Sequence, residues 1–261
     1  VQCTITEPTQ LSGSIIDQIN VLCSGTATGE VTVGGSGGTA PYTYNIGNGS
    51  QSTESFINLV VGLYQVVIED AQGCEFIVDV EITEPNPLLG AIDSQQEVSC
   101  FGVPDGEVIV FASGGTPPYL FDIGNGVQAS GTFTGLPAGI YMVEISDLNG
   151  CLFDVPFTIT EPQALTGSID NQTEVTCNGG ADATATIVAV GGILPYTFDI
   201  GAGSQGTGIF TGLAAGVYSV QILDANQCSF DVGLTIIEPT QLVASMTSST
   251  DALCNGDANG N

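Results

Sequence analysis

Hydrophobic and polar residues alternate along two neighbouring segments of the chain. In residues 62–70, Tyr64, Val66 and Ile68 fall on one face of an extended strand, and residues 75–82 alternate in the same way. A period of two residues is typical of a half-buried β-strand. The three residues Ala-Gln-Gly between the segments predict a short hairpin turn.

This pattern recurs with a fixed period. The segments GGTAPYTYNIGNG, GGTPPYLFDIGNG and GGILPYTFDIGAG begin at Gly37, Gly114 and Gly191, so the residue number rises equally at each step (114 − 37 = 77 and 191 − 114 = 77). Such a period indicates tandem copies of one structural unit. We expect a piece of a longer array, in which residues 1–8 end a preceding repeat, 9–85, 86–162 and 163–239 are repeats one to three, and 240–261 begin a following repeat.

Each repeat holds further strand-like segments. In repeat one these are residues 11–17, 30–33, 41–46 and 52–59. Short strands separated by turn signals every 8–12 residues or so predict an all-β fold, a small Ig-like β-sandwich in each repeat. The linkers centre on Glu84-Pro85 and Glu161-Pro162 and are short. We therefore predict tandem 77-residue Ig-like β-sandwich repeats stacked end to end as a rod or filament.

The charge balance excludes several functions. The chain has 28 acidic residues and no Lys, Arg or His. Binding to nucleic acid or to anionic lipid needs cationic side chains. A Ser or Cys nucleophile needs an imidazole base, and Schiff-base chemistry needs a lysine. Since no apolar run approaches the ~20 residues of a spanning helix, we also expect no membrane insertion of this segment. We expect a protein that is not an enzyme.

Seven of the eight cysteines follow the repeat, as the series Cys23, Cys100, Cys177 and Cys254 and the series Cys74, Cys151 and Cys228. This regular spacing predicts disulfides formed in an oxidising compartment. Two pairings are open. One closes a loop within each repeat: Cys23–Cys74, Cys100–Cys151 and Cys177–Cys228. The other joins repeats two at a time, as Cys23–Cys151 and Cys100–Cys228. The pairing between repeats is considered because the first turn and the last hairpin of an Ig-like domain lie at opposite ends of that domain. A disulfide needs Cα atoms within about 7 Å, which the far end of one domain and the near end of the next could provide.

Acidic side chains near strand ends are candidate calcium ligands, because calcium binds clusters of oxygen atoms. The candidates are Asp105, Glu107, Asp182 and Asp257 after the first cysteine of a repeat, and Asp70, Asp147 and Asp224 at the last hairpin. The alternative is a protein without any cofactor, because Asp is also favoured in solvated turns. Thr28 occupies the place of Asp105 in repeat one, which weakens the case for calcium.

The order of these motifs resembles the SprB-type repeats of Bacteroidota surface proteins. In repeat two the resemblance is carried by Cys100-Phe101-Gly102 and by residues 114–119, 136–141, 147–151 and 160–162. Gln227 departs from the pattern, which has Gly before the second cysteine. The resemblance implies an extracellular filamentous adhesin of the bacterial cell surface, which supports gliding motility and is exported by type IX secretion. It implies as partners the neighbouring repeats, surface polysaccharide or another external surface, and outer-membrane motility or secretion machinery.

Two hypotheses for the function follow. In the first, the repeats are a structural and adhesive filament. In the second, each repeat is a discrete binding module for polysaccharide or calcium, with sugars stacking on the recurring aromatic residues Tyr42, Tyr44, Tyr119, Phe121, Tyr196 and Phe198. Alternating aromatic residues in a strand more often lie in a core. The recurring residues are mostly glycines, prolines, cysteines and core positions, which a fold requires, and this favours the filament.

Overall fold

The computed structural model describes residue 3, residues 6–250 and residue 255. These residues form 18 β-strands and no helix, and each 77-residue repeat contributes six strands. Repeat one contains β1 (Ser12–Ile19), β2 (Gly29–Ser36), β3 (Thr43–Asn45), β4 (Ser55–Leu59), β5 (Gly62–Glu69) and β6 (Glu75–Ile82). Repeat two contains β7 (Leu89–Gln96), β8 (Gly106–Ser113), β9 (Leu120–Asp122), β10 (Thr132–Leu136), β11 (Gly139–Ser146) and β12 (Leu152–Ile159). Repeat three contains β13 (Thr166–Gln172), β14 (Ala183–Val190), β15 (Thr197–Asp199), β16 (Ile209–Leu213), β17 (Gly216–Leu223) and β18 (Ser229–Ile236).

Every repeat folds into two three-stranded antiparallel sheets. In repeat one the strand orders are β1-β2-β4 and β3-β5-β6, and the other repeats follow the same order. These sheets correspond to the two sheets of an Ig sandwich without its strand D. A tyrosine supports this assignment: the Tyr64 hydroxyl donates to the Val60 carbonyl four residues upstream (2.9 Å), as in the tyrosine corner of Ig domains. The predicted all-β, Ig-like fold is therefore confirmed.

The core of each repeat lies between its two sheets, as the alternating pattern predicts. Val66 and Ile68 on β5 and Val80 and Ile82 on β6 are almost completely buried, while the residues between them are more exposed. The sheets approach closely at Gly13, where an added Cβ would lie 2.3 Å from Cδ1 of Ile68. A larger residue there would displace the buried side chain of Ile68.

One strand is shorter than the sequence pattern predicts. The segment 41–46 forms only the three-residue strand β3. The side chain of Asn45 ends the strand, because its Oδ1 accepts the N–H groups of Gly47 (2.8 Å) and Gly49 (3.1 Å). Both glycines have positive φ angles, which a strand does not allow.

The described chain divides into two compact units. The first holds repeats one and two, apart from residues 98–103 and 161–162, and the second holds those residues together with repeat three. Each unit has a core of its own. None of the described segments forms a helix of the length and apolarity needed to cross a membrane.

Candidate functional site: the disulfide-linked ends of the repeats

The last hairpin of every repeat is built around a buried aspartate. In repeat two, Oδ1 of Asp147 accepts the N–H groups of Asn149 and Cys151 (both 2.9 Å), and Oδ2 accepts that of Thr116 (2.8 Å). Asp147 is only 5% exposed. The hairpin that carries Cys151 is therefore fixed by three hydrogen bonds to one carboxylate.

Asp70 and Asp224 hold their hairpins in the same way. The N–H groups of Cys74 and Thr39 lower the pKa of the Asp70 carboxyl below its ordinary value, because a hydrogen bond to the carboxylate stabilises the charged form. These aspartates were candidate calcium ligands. Their oxygens are instead occupied by backbone donors, so the structure gives them a role in shaping the turn.

The first loop of every repeat carries the other cysteine and is held by the glutamate of the Glu-Pro pair. Oε2 of Glu84 accepts the N–H group of Gly25 at 2.6 Å, and Gly25 has a φ of +76°, which favours glycine. Glu161 binds Gly102 in this way at 2.7 Å. The two glutamates, which the sequence assigned to linkers, therefore also shape the loop beside Cys23 or Cys100.

A second polar side chain closes the same loop. Oγ1 of Thr28 accepts the N–H group of Leu22 at 2.9 Å. In repeat three, Asp182 accepts the equivalent N–H group, that of Thr176, at 3.0 Å. Thr176 also donates its hydroxyl to Asp182, and these bonds lower the pKa of the Asp182 carboxyl. A threonine and an aspartate therefore perform the same structural task, which explains why repeat one lacks the acid.

Two disulfides link the first loop of one repeat to the last hairpin of the next. Cys23 is bonded to Cys151 with a Cα–Cα distance of 5.6 Å, and Cys100 is bonded to Cys228 with a distance of 5.7 Å. Both distances lie within the range that a disulfide requires. The prediction of pairs within repeats (Cys23–Cys74, Cys100–Cys151 and Cys177–Cys228) is wrong, and the alternative pairing between repeats is the one formed.

The length of one strand explains why the pairs within a repeat do not form. The loop that holds Cys23 is bonded to Glu84, beyond the end of β6, whereas Cys74 precedes the start of β6. Eight strand residues separate these ends, or about 26 Å at 3.3 Å per residue. A disulfide spans about 7 Å at most between Cα atoms.

A hydrogen bond accompanies each disulfide. The side-chain amide of Asn149 donates to the Leu22 carbonyl at 3.0 Å, next to the Cys23–Cys151 bond. Within the second unit, Asn226 donates to the Ser99 carbonyl at 2.8 Å, next to the Cys100–Cys228 bond. The same amide contact therefore recurs wherever the disulfide forms. The only sequence signal for this contact is the recurrence of an amide residue at that position.

Three described cysteines remain free and exposed: Cys3, Cys74 and Cys177. Cys254, the last member of the first series, lies outside the described residues. Cys74 and Cys177 occupy the same positions in their repeats as cysteines that are bonded in the other repeats.

The other calcium candidates do not assemble into a cluster within the described part of the chain. Asp105 and Glu107 are half-buried beside the start of β8, and Asp257 lies outside the described residues. No group of three or more Asp, Glu, Cys or His side chains suited to a metal occurs among the residues that the structure describes. Calcium needs six to eight oxygen ligands, and the described candidates do not form such a group.

The recurring aromatic residues lie mostly in the core. Tyr44, Phe121 and Phe198 are buried. Tyr42 is half-buried, and its hydroxyl donates to the Gly37 carbonyl at 2.6 Å, as its copies do in the other repeats. A sugar stacks on an exposed ring face, and these rings are engaged in packing and in turn formation.

Comparisons with solved structures find other multidomain proteins at low similarity. The three N-terminal domains of the bacteriophage RB49 highly immunogenic outer capsid protein are 14% identical, with a TM-score of 0.38 and coverage of 88% of this chain and 100% of that chain. Immunoglobulin domains 1–5 of Sidekick-1 are 11% identical, with a TM-score of 0.35 and coverage of 87% of this chain and 59% of that chain. Invasin, a bacterial integrin-binding protein, is 14% identical, with a TM-score of 0.32 and coverage of 88% of this chain and 60% of that chain.

The comparison with curated proteins gave no match. A comparison with protein families matches the SprB repeat at residues 16–51, 92–128 and 169–205. Each matched segment begins in the first strand of a repeat and includes the loop that carries the first cysteine. The resemblance found from the sequence motifs is thereby confirmed: the SprB repeat model matches one segment in each 77-residue unit.

Proposed function

We propose that this chain is a structural and adhesive segment of a long filament on a bacterial cell surface. The observation that carries the proposal is the pair of disulfides that join one repeat to the next, Cys23–Cys151 and Cys100–Cys228. A protein that transmits tension between a cell and a surface needs successive domains that do not come apart. Covalent bonds between successive repeats provide this resistance.

The energetics of the disulfides support this role. Each bond joins residues 128 positions apart. In the chain-entropy treatment, a cross-link over a loop of this length stabilises the folded state by about 5 kcal/mol. This is comparable to the whole stability of a small domain. Each cross-link therefore disfavours unfolding of the repeats that it joins.

The net charge of −28 favours an extended arrangement and an extracellular setting. With no internal counter-charge, like charges on neighbouring repeats repel and oppose collapse. The disulfides are typical of proteins in oxidising compartments. The finer assignments, to gliding motility, type IX secretion and Bacteroidota, rest on the resemblance to SprB-type surface proteins. The proposed partners are surface polysaccharide or another external surface and the outer-membrane machinery that exports or moves the filament.

The role of a discrete binding module is less favoured. The aromatic residues that would stack on sugars are packed in the core or half-buried, and the aspartates of the hairpins bind backbone N–H groups. The positions that recur in every repeat thus serve the fold and its cross-links. Adhesion in the proposed filament would depend on the array as a whole.

Small-angle X-ray scattering of the oxidised chain tests the filament. A compact globule of 261 residues has a radius of gyration of about 18 Å. Three domains spaced about 40 Å apart in a row give about 35 Å. We expect the larger value, and a radius of gyration close to that of the globule would contradict the filament.

Adhesion is tested separately, with antibody to the repeats on intact cells of the source organism. We expect surface labelling without permeabilisation, and weaker attachment to polysaccharide-coated glass when the three repeats are deleted. A deletion strain that displays the remaining protein and attaches normally would contradict an adhesive contribution of these repeats.

A further inference from the structure

The outer face of one sheet in repeat two carries a row of three carboxylates. In that sheet β11 lies between β9 and β12, and Glu144 is paired with Asp122 on β9 and with Asp154 on β12. Neighbouring strands are about 4.8 Å apart, so the three acids stand side by side. Glu144 and Asp154 are exposed, and Asp122 is half-buried. Like charges in directly opposite positions repel, and the chain has no Lys, Arg or His to neutralise this acidic row.

Exposed apolar side chains lie on both sides of the acidic row. On β11, Met142 precedes Glu144 by two residues and Ile140 precedes it by four, so all three share the outer face. Met142 is 56% exposed and Ile140 is 86% exposed. On the other side of the row, Leu120 and Leu152 are both paired with the β11 residue two positions after Glu144, and both are exposed. The face is therefore divided into an apolar, an acidic and a second apolar band.

A groove of about 410 Å³ connects the acidic row with the first apolar band. Its lining includes Ile140 and Met142 together with the two acids Asp122 and Glu144. The Asp122 carboxylate is held in place, because its Oδ1 accepts two N–H groups of the following turn at 2.7 and 3.1 Å. One wall of the groove is thus fixed by the fold, and apolar and acidic groups are presented together in one concave surface.

The other two repeats lack this combination. The residues at the three positions of the acidic row are Asn45, Val67 and Ile77 in repeat one and Asp199, Gln221 and Asp231 in repeat three. The position of Met142 is occupied by Gln65 and Ser219. All three repeats form the same sheets, so the fold does not require three adjacent carboxylates beside an exposed methionine. The combination belongs to repeat two alone and indicates a contact made outside the fold.

We propose that this face of repeat two is a docking surface for a basic segment of a partner protein, in which Lys or Arg side chains alternate with apolar ones. The aliphatic stem of a Lys or Arg covers Met142 while its charged end reaches Glu144. Charge complementarity selects such a partner, because opposite potentials face each other across specific interfaces. A second copy of this chain does not fit, since it has no cationic side chain. The proposal concerns one repeat and holds whether or not the filament is adhesive.

A synthetic peptide tests the surface. In the capped sequence Leu-Ser-Lys-Ser-Leu-Ser-Lys-Ser-Leu, leucines and lysines share one face when the peptide is extended, because alternate residues of a strand point the same way. The isotope-labelled full chain, with both disulfides intact, is titrated with this peptide in about 0.15 M salt, and amide shifts are followed by NMR. We expect saturable shifts concentrated at residues 120–122, 140–146 and 152–154. Peptides with every Lys replaced by Gln, or every Leu by Ser, should bind about tenfold more weakly.

Variants of the full chain assign the binding to the acidic row and to the apolar band. Glu144→Gln removes the middle charge of the row, and Met142→Ser introduces the residue that repeat three has at the same position. Each change should weaken peptide binding about fivefold. The matched control Asp231→Asn removes the acid of repeat three that corresponds to Asp154, and it should leave the affinity unchanged. All three altered side chains are exposed, so each variant should retain the fold.

Three outcomes would overturn the proposal. One is equally tight binding of the peptide without leucines, together with equal losses for Glu144→Gln and Asp231→Asn, because cations would then be attracted only by the net charge of −28. The second is a set of shifts of equal size at corresponding residues of all three repeats. The third is the absence of any saturable shift at millimolar peptide concentration.

Discussion

The covalent route through the two disulfides predicts how far the chain extends under force. From Cys23 to Cys228 the backbone contains 205 residues (228 − 23). With both disulfides intact, the shortest covalent route crosses from Cys23 to Cys151, runs backwards to Cys100 over 51 residues (151 − 100) and crosses to Cys228. The two bonds therefore remove 154 residues (205 − 51) from the extensible length, or about 540 Å at 3.5 Å per residue.

The two bonds overlap along the chain, so breaking them releases unequal lengths. Loss of either bond leaves a backbone route of 77 residues, from Cys23 to Cys100 or from Cys151 to Cys228. This route is 26 residues longer than the one with both bonds intact (77 − 51). Loss of the second bond restores the whole backbone route, which is a further 128 residues longer (205 − 77). We expect steps of about 90 Å and then about 450 Å, whichever bond breaks first. Bonds within repeats would each release 51 residues, about 180 Å.

Single-molecule force spectroscopy in the presence of a small-molecule thiol measures these steps. The test chain carries Cys3→Ser, Cys74→Ser, Cys177→Ser and Cys254→Ser, so that only the four bonded cysteines remain. It is held at a constant force that unfolds all repeats, and each reduced disulfide then appears as one extension step. A further Cys151→Ser change should leave a single step of 128 residues. A step of the length expected for a bond within one repeat would refute the assigned pairing.

Four further predictions concern stability and ligands. Asp147→Ala leaves three backbone N–H groups without their acceptor and should cost about 3 kcal/mol in chemical denaturation, while the exposed Asp154→Ala serves as the control and should cost little. Glu84→Ala should destabilise by about 1 kcal/mol through loss of the hydrogen bond to the first loop, with Glu81→Ala near neutral on the same assay. The pKa of Asp70 is lower in the folded than in the unfolded state, so its contribution is complete above about pH 4 and is lost as the pH falls through the folded value; the loss of melting temperature caused by Asp70→Asn should therefore shrink from about pH 4 to about pH 2, and a loss that stays constant would contradict this. A chelator should leave the thermal melt of the folded chain unchanged, and a large downward shift would reveal a metal site.

The sequence predicted the elements well because strand burial is a local property. Tyr64, Val66 and Ile68 face inwards at every second position, and the structure places them on one face of β5. The extent of β3 was missed, because the side chain of Asn45 ends the strand by binding the backbone two and four residues later. Alternation of hydrophobic residues carries no information about such a contact.

The roles of Asp147 and Glu84 illustrate a second limit. The sequence presents both as acidic residues in turns, which suit a solvated loop, a linker or a metal site equally well. Only the folded chain brings the Glu84 carboxylate to Gly25, 59 positions earlier, and the Asp147 carboxylate to Thr116, 31 positions earlier. The burial of the Asp147 carboxylate among backbone N–H donors could not be inferred from the spacing of residues along the chain.

The sequence by itself determined the 77-residue period, the all-β Ig-like repeat and its resemblance to the SprB repeat, because each depends on local patterns that recur along the chain. It reduced the cysteine pairing to two alternatives and left both open. The tertiary structure decided between them: β6 separates the loop of Cys23 from the hairpin of Cys74 within one repeat, while the hairpin of the next repeat brings Cys151 within 5.6 Å of Cys23. Disulfide pairing depends on the distance between two cysteines in space. The fold sets that distance, and the number of residues between the cysteines does not reveal it.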